Sequence, residues 1–113
     1  MQLSVEVKRQ EGKAVFLCRG SLLQGEASDY LFHLLTRSHR QDVILDLAAL
    51  TTFDRAGLQT VMLSSNFLAA NHRRLLLRHA PSNLLDHIRR RHGALLGDLY
   101  VLHDAELVEA AKN

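Results

Sequence analysis

Residues 43–58 read VILDLAALTTFDRAGL and join three features in succession. Val43 to Leu47 form a short apolar run, which is typical of a central parallel strand covered on both faces. After a short loop, Asp54 stands where a helix would start, because its carboxylate can accept hydrogen bonds from the free N–H groups of a first turn. Gly57 adds nothing to helix propensity, so we interpret it as a point of close approach to the backbone.

The same alternation of strand and helix patterns continues on both sides of this unit. Before it, hydrophobic periodicity predicts a strand at 3–7, a turn at 10–13, a strand at 14–19 and a helix at 25–40. After it come a helix from 55, a strand at 75–77, a helix at 81–93, a strand at 98–102 and a helix at 104–112. This order predicts an α/β fold with a mostly parallel central sheet, an antiparallel edge strand and about four helices.

Length and composition fit one small domain over residues 1–113, since 47% of the residues are hydrophobic and can form a single core. Cys18 is the only cysteine, so it cannot form an internal disulfide, and its apolar surroundings predict a buried side chain. We see neither a signal-peptide pattern nor an apolar run long enough to cross a membrane. A cytoplasmic location is therefore expected, in keeping with the lack of cysteine pairs.

The sequence offers little to support catalysis. Its seven histidines show neither the HExxH motif nor paired Cys/His spacing, and no Walker loop, Gly-x-Ser-x-Gly motif or dinucleotide fingerprint is present. Asp46 lies within a strand and Asp54 at a helix start, where structural roles are favoured over an acid–base pair. We therefore predict a protein that is not an enzyme and holds no metal or cofactor.

Positive charge is concentrated in one segment, although the net charge of the chain is only +2. Residues 72–92 contain six arginines against one acidic residue, Asp86. Direct nucleic-acid binding is disfavoured, because the segment has no interleaved aromatic residues and no recognisable binding module. An acidic protein surface or an anionic lipid surface would match this charge equally well.

The order and spacing of several motifs resemble those of the STAS family (sulfate transporter and anti-sigma factor antagonist). In that family an apolar strand ends in Leu-Asp-Leu, and Asp-Ser-Ser-Gly-Leu then opens a helix. This chain has Leu45-Asp46-Leu47 and Asp54-Arg55-Ala56-Gly57-Leu58 at a matching separation. Further similarities are Gly20 and Leu22 after the second strand, and a closing pattern of Pro81, Gly93 and residues 99–104. The resemblance implies a STAS-like domain of the anti-sigma factor antagonist kind.

One departure from the family pattern concerns regulation. In bacterial antagonists, the first serine after the Asp is phosphorylated by a partner kinase, which breaks the complex. Here that position is Arg55 and the next is Ala56, and neither has a hydroxyl. The domain is then either constitutively competent, or switched at a nearby hydroxyl of Thr51, Thr52 or Thr60, or adapted to another partner.

The second helix has an apolar pair, Leu63 and Phe67, on the side opposite its predicted core face. The pair is either a contact for a partner or for a second copy of the chain, or it is covered by the first or last helix. The resemblance favours a partner contact, because antagonists dock through this helix and the loop before it.

The resemblance therefore implies a protein-binding module of transcription regulation, whose partner is an anti-sigma factor or a related regulatory kinase. Alternatives are an accessory subunit of a transporter ATPase and a ligand-sensing STAS domain. The predicted contact residues are Thr51, Thr52, Asp54, Arg55, Ala56, Gly57, Leu58, Thr60, Leu63 and Phe67.

Overall fold

The computed structural model describes residues 2–10, 12–37, 42–92 and 99–102, in which strands and helices follow the predicted order. The elements are β1 (Leu3–Gln10), β2 (Lys13–Leu22), α1 (Glu26–Arg37), β3 (Val43–Phe53), α2 (Arg55–Ala70), β4 (Leu75–Arg78), α3 (Ser82–His92) and β5 (Leu99–Leu102). The described part of the chain thus contains three helices, and the fourth predicted helix, at 104–112, lies outside it.

The five strands form one mixed sheet in the order β1-β2-β3-β4-β5. The short turn after β1 makes β1 and β2 an antiparallel pair, from Leu3 opposite Gly20 to Gln10 opposite Lys13. The other neighbours are parallel, as the intervening helices require. An α/β domain with one antiparallel edge pair was predicted and is confirmed.

All three helices contribute to one core, because each crossover advances the chain by one strand in the same direction across the sheet. The fully buried side chains of this core include Leu31 and Leu35 from α1, Leu45 and Leu47 from β3, Leu68 from α2, and Leu84 and Ile88 from α3. Side chains alternate between the faces of a strand. Val15, Ile44 and Leu76 accordingly form a second, smaller buried cluster.

Strand β3 is longer than predicted, which changes the nature of the segment before α2. The sequence predicts that the strand ends at Leu47 and that a loop follows, but β3 continues to Phe53. It does so because β2 is also extended, so that Thr52 pairs with Ser21 and Phe53 pairs with Leu22. The register between the two strands shifts twice, between Leu17 and Arg19 and between Gly20 and Ser21, and each shift adds one residue to β3. Thr52 therefore belongs to a strand rather than to a free loop.

Candidate functional site

The junction between β3 and α2 is fixed by the Asp54 side chain. Its backbone is extended, and its Oδ1 accepts a hydrogen bond of 2.8 Å from the Gly57 N–H, so Asp54 is the N-cap that the sequence predicted. Its Oδ2 accepts a second bond, of 2.9 Å, from the Gln24 N–H in the connection between β2 and α1. These hydrogen bonds favour the carboxylate form and therefore lower the pKa of Asp54, and the bond from Gln24 has the larger effect. Asp54 thus ties the start of α2 to a segment thirty residues earlier in the chain.

Gly57 is required because the first turn of α2 lies against the end of β2. A Cβ atom at Gly57 would lie 2.2 Å from the Leu22 carbonyl oxygen and 2.8 Å from the Leu22 Cγ. Leu22 also accepts a backbone hydrogen bond from the Asp54 N–H at 3.2 Å. The close approach inferred from sequence is therefore a contact within the chain, between α2 and β2.

The predicted contact residues divide into an exposed group and a buried group. Exposed side chains are those of Thr51, Thr52, Arg55, Leu63 and Phe67, while Asp54 and Ala56 are partly exposed. Gly57, Leu58 and Thr60 are buried. The exposed residues lie at the end of β3 and along one side of α2, and the buried three support them from beneath.

Thr60 is among the predicted contact residues, and a helical projection puts it on the same side of α2 as Leu63 and Phe67, but the structure buries its side chain. Thr60 is only 8% exposed, and Ser64, one turn later, is fully buried. The Thr60 hydroxyl donates to the Ala56 carbonyl oxygen, and the Ser64 hydroxyl donates to the Thr60 carbonyl oxygen. Because both hydroxyls are satisfied inside the helix, this polar side of α2 can be buried without an unpaired group.

An aromatic residue of α1 extends the apolar pair on α2. The rings of Phe32 and Phe67 meet edge to face, with their centroids 6.3 Å apart. Phe32, Leu63 and Phe67 nevertheless remain 36%, 50% and 42% exposed. The first helix thus covers the pair only in part, and the three side chains form what we call the apolar patch. Phe32 was missed in the sequence because it lies outside the core-facing periodicity of its own helix.

Beside Arg55, helix α3 approaches the start of α2 and a cavity of about 260 Å³ lies between them. The residues that line it are Phe53, Asp54, Arg55, Leu58 and His87, and we call this cavity the Arg55 cleft. The rings of Phe53 and His87 meet edge to face, with centroids 6.1 Å apart. On the far side of these rings is a second cavity of about 260 Å³. Sequence reasoning identified neither Phe53 nor His87 as a site residue.

Asp46, the other carboxylate considered from sequence, belongs to a separate buried ion pair. Its Oδ2 accepts a hydrogen bond of 2.7 Å from the Arg78 guanidinium, and its Oδ1 accepts one of 2.9 Å from the Ala48 N–H. Burial acts to raise the pKa of Asp46, but the bonds from Ala48 and Arg78 outweigh it and lower that pKa. The hydrogen bonds of the two carboxylates go to different groups, Ala48 and Arg78 for Asp46 and Gln24 and Gly57 for Asp54.

No family model matches the sequence, and no curated protein has significant sequence similarity to it. Solved structures do match its fold. The anti-sigma factor antagonist SpoIIAA of Bacillus, in its unphosphorylated form, is 13% identical with a TM-score of 0.72, over 97% of this chain and 99% of that one. A candidate anti-sigma factor antagonist from Thermotoga maritima is 10% identical with a TM-score of 0.75, over 96% and 95% of the two chains.

A third similar structure is a sulfate transporter family protein from Wolinella succinogenes, which is 19% identical with a TM-score of 0.71 over 93% of this chain and 89% of that one. Another match, from Rhodobacter sphaeroides, is described as a STAS domain. The chain therefore has the STAS fold, which occurs both in anti-sigma factor antagonists and in sulfate transporter proteins. Among the residues that the structure describes, no helix is both long and apolar enough to span a bilayer.

Proposed function

We propose that this chain is a non-catalytic protein-binding module of the anti-sigma factor antagonist kind, which docks a regulatory protein through the start and outer side of α2. The observation that carries the proposal is the presentation of Arg55. Its side chain is exposed directly after a junction that Asp54 holds by two hydrogen bonds, and Leu63 and Phe67 of the apolar patch lie further along the same helix. A fixed cation on the same helix as exposed apolar side chains is a combination suited to protein recognition.

In this function the module would sequester an anti-sigma factor and thereby free a sigma factor for transcription. Arg55 and Ala56 have no hydroxyl, so a phosphate cannot be added at the start of α2. Thr60 is a poor site for a kinase because it is buried. Thr51 and Thr52 are exposed, and they remain the hydroxyls through which phosphorylation would regulate docking.

A non-catalytic role is favoured by the state of the groups that sequence analysis considered for chemistry. Burial, followed by the charge of Asp46, raises the pKa of the Cys18 thiol to about 12, so that its thiolate is scarce near neutral pH. Asp46 is neutralised by Arg78 within the protein, and both oxygens of Asp54 accept backbone hydrogen bonds. These three groups therefore have structural roles.

The basic segment that follows α2 is partly neutralised by ion pairs, which weakens the case for nucleic-acid binding. Arg78 pairs with Asp46 in the interior, and Arg74 pairs with Asp42 near the surface. Arg89 lies 3.9 Å from Asp86 on α3.

An association with a transporter ATPase remains the second candidate, because a sulfate transporter family protein shares the fold.

The test is a capture experiment with tagged protein in native lysate of the source organism, read by mass spectrometry. We expect the wild type to retain an anti-sigma factor or a related kinase, and Arg55→Glu to lose it through charge reversal. Arg9→Glu, on the exposed strand β1, is the matched control because it makes the same charge change far along the sequence from α2. Equal capture by all three proteins would refute docking at Arg55.

Two other outcomes would change the assignment. Capture of a transporter ATPase that depends on Arg55 would favour the second candidate. A homodimer through the apolar patch would be detected by sedimentation of the purified wild type, and Phe67→Gln would return it to a monomer.

A further inference from the structure

We propose that the Arg55 cleft binds an acidic side chain of the partner together with a neighbouring aliphatic side chain, so that the partner segment contains Glu or Asp next to Leu, Ile or Met. This inference rests on the proposed function, because it specifies the chemistry of the docked protein at the surface described above.

The size of the cleft suits a side chain rather than a small-molecule ligand. Its volume is about 260 Å³, whereas ligand pockets span roughly 300–1,000 Å³. Leu58 is 2% exposed and forms an apolar base, and Phe53 and His87 form a wall of two aromatic rings. An aliphatic side chain placed there would be removed from water by surfaces that are already in position.

The charge of the cleft favours an anion on the occupant. Within the described residues, the Arg55 guanidinium takes part in no ion pair and no hydrogen bond. The carboxylate of Asp54, which also lines the cleft, already accepts hydrogen bonds from Gln24 and Gly57. An acidic group would therefore meet an unmatched guanidinium, which can bind a carboxylate by two parallel hydrogen bonds.

The cleft would be specific for its occupant because the Arg55 guanidinium and the apolar base line the same cavity. A carboxylate alone would reach only Arg55, and an aliphatic side chain alone would leave the guanidinium unpaired. An occupant that carries both groups on adjacent residues satisfies the cation and fills the apolar base together. Such a segment would bind the cleft in preference to a free anion or a neutral peptide.

The inference is tested by NMR titration of the full ¹⁵N-labelled chain with two blocked dipeptides, N-acetyl-Glu-Leu-amide and N-acetyl-Gln-Leu-amide. We expect the acidic dipeptide to shift the amide signals of Arg55, Gly57 and His87, with a Kd on the order of millimolar. The neutral dipeptide should bind about tenfold more weakly, since it lacks the charge-assisted bond. Inorganic phosphate at the same ionic strength should shift these signals far less than the acidic dipeptide.

Two variants assign the contacts. Arg55→Gln should reduce the affinity for the acidic dipeptide to that of the neutral one, and His87→Ala should weaken both, because it removes half of the aromatic wall. Arg9→Gln is the control and should bind as the wild type does. Equal binding of the two dipeptides, equal shifts with phosphate, or no shift at these amides would each overturn the inference.

The capture experiment tests the docking function and the titration tests the chemistry of the Arg55 cleft, so either proposal can be wrong without the other. If the acidic dipeptide binds but no anti-sigma factor is captured, the cleft chemistry stands and the identity of the partner is wrong. If an anti-sigma factor is captured through Arg55 but the dipeptides do not discriminate, the docking function stands and the inference about the cleft is wrong.

Discussion

Asp54 accepts two hydrogen bonds, one from Gly57 and one from Gln24, and two substitutions can separate what each contributes to stability. Asp54→Ala removes both the cap on Gly57 and the link to Gln24. Asp54→Ser keeps a hydroxyl that can cap the first turn of α2, but its shorter side chain cannot reach both N–H groups. The pair of variants therefore separates the local hydrogen bond from the long-range one.

The expected magnitudes follow from the two hydrogen bonds. Loss of an N-cap costs about 1 kcal/mol of unfolding free energy. Loss of a hydrogen bond to a charged group costs about 1.5 kcal/mol, at the low end of the usual range because the Gln24 bond is exposed. We therefore expect Asp54→Ala to cost about 2.5 kcal/mol and Asp54→Ser to cost about 1.5 kcal/mol.

The assay is urea unfolding followed by circular dichroism, repeated from neutral to acid pH. Since the pKa of Asp54 is lowered in the folded protein, its carboxylate contributes stability above the unfolded pKa of about 3.9. That contribution is lost as the pH falls through the folded pKa. The difference in unfolding free energy between wild type and Asp54→Ala should therefore be constant near neutral pH and become smaller below about pH 4.

Two results would refute this reasoning. If Asp54→Ser were as unstable as Asp54→Ala, the N-cap would contribute nothing. If the gap between wild type and Asp54→Ala did not narrow in acid, the ionised carboxylate would not be the stabilising form. Asp29→Ala, on the exposed side of α1, is the control for removing an acidic side chain.

Two further predictions concern Gly57 and Cys18. Gly57→Ala should destabilise the domain by about 2–3 kcal/mol, because a Cβ 2.2 Å from the Leu22 carbonyl oxygen costs more than the gain in helix propensity. Urea unfolding measures this effect, and an increase in stability would contradict the packing described. The Cys18 thiol, buried with its pKa raised to about 12, should react with a thiol reagent only as the domain unfolds. Rapid labelling of the native protein at pH 8 would show that the site is accessible.

Local patterns were sufficient to predict the order of the elements and the cap. The strand–helix alternation around residues 43–58 predicts a parallel sheet because crossovers have few possible topologies. Asp54 is recognisable as a cap because the bond it makes to Gly57 is local, three residues along the chain. The link from Asp54 to Gln24 spans thirty residues, and no local pattern contains it.

The placement of Thr60 was wrong because a helical projection shows only the angle of each residue around the helix axis. By that angle Thr60 lies beside Leu63 and Phe67, opposite the core-facing residues. The position of α1 decides the matter, since α1 packs beside α2 and the hydroxyls of Thr60 and Ser64 are satisfied by helix carbonyls. The contact of Phe32 with Phe67 and that of Phe53 with His87 likewise arise only when separate helices and strands are brought together.

The replacement at position 55 has a consequence for how the proposed docking would be controlled. A serine at the start of α2 could gain a phosphate and change its charge, whereas Arg55 keeps a positive charge at every physiological pH. If the Arg55 cleft recognises an acidic segment, association cannot be ended by modifying this position. Control would then come from Thr51 and Thr52, which lie near the end of β3 and line the second cavity, across the Phe53 and His87 rings from the cleft. A phosphate there would place negative charge beside an acidic partner and oppose binding by repulsion. Phosphorylation would therefore weaken binding rather than strengthen it, because the acidic partner that Arg55 attracts is repelled by the negative charge of a phosphate.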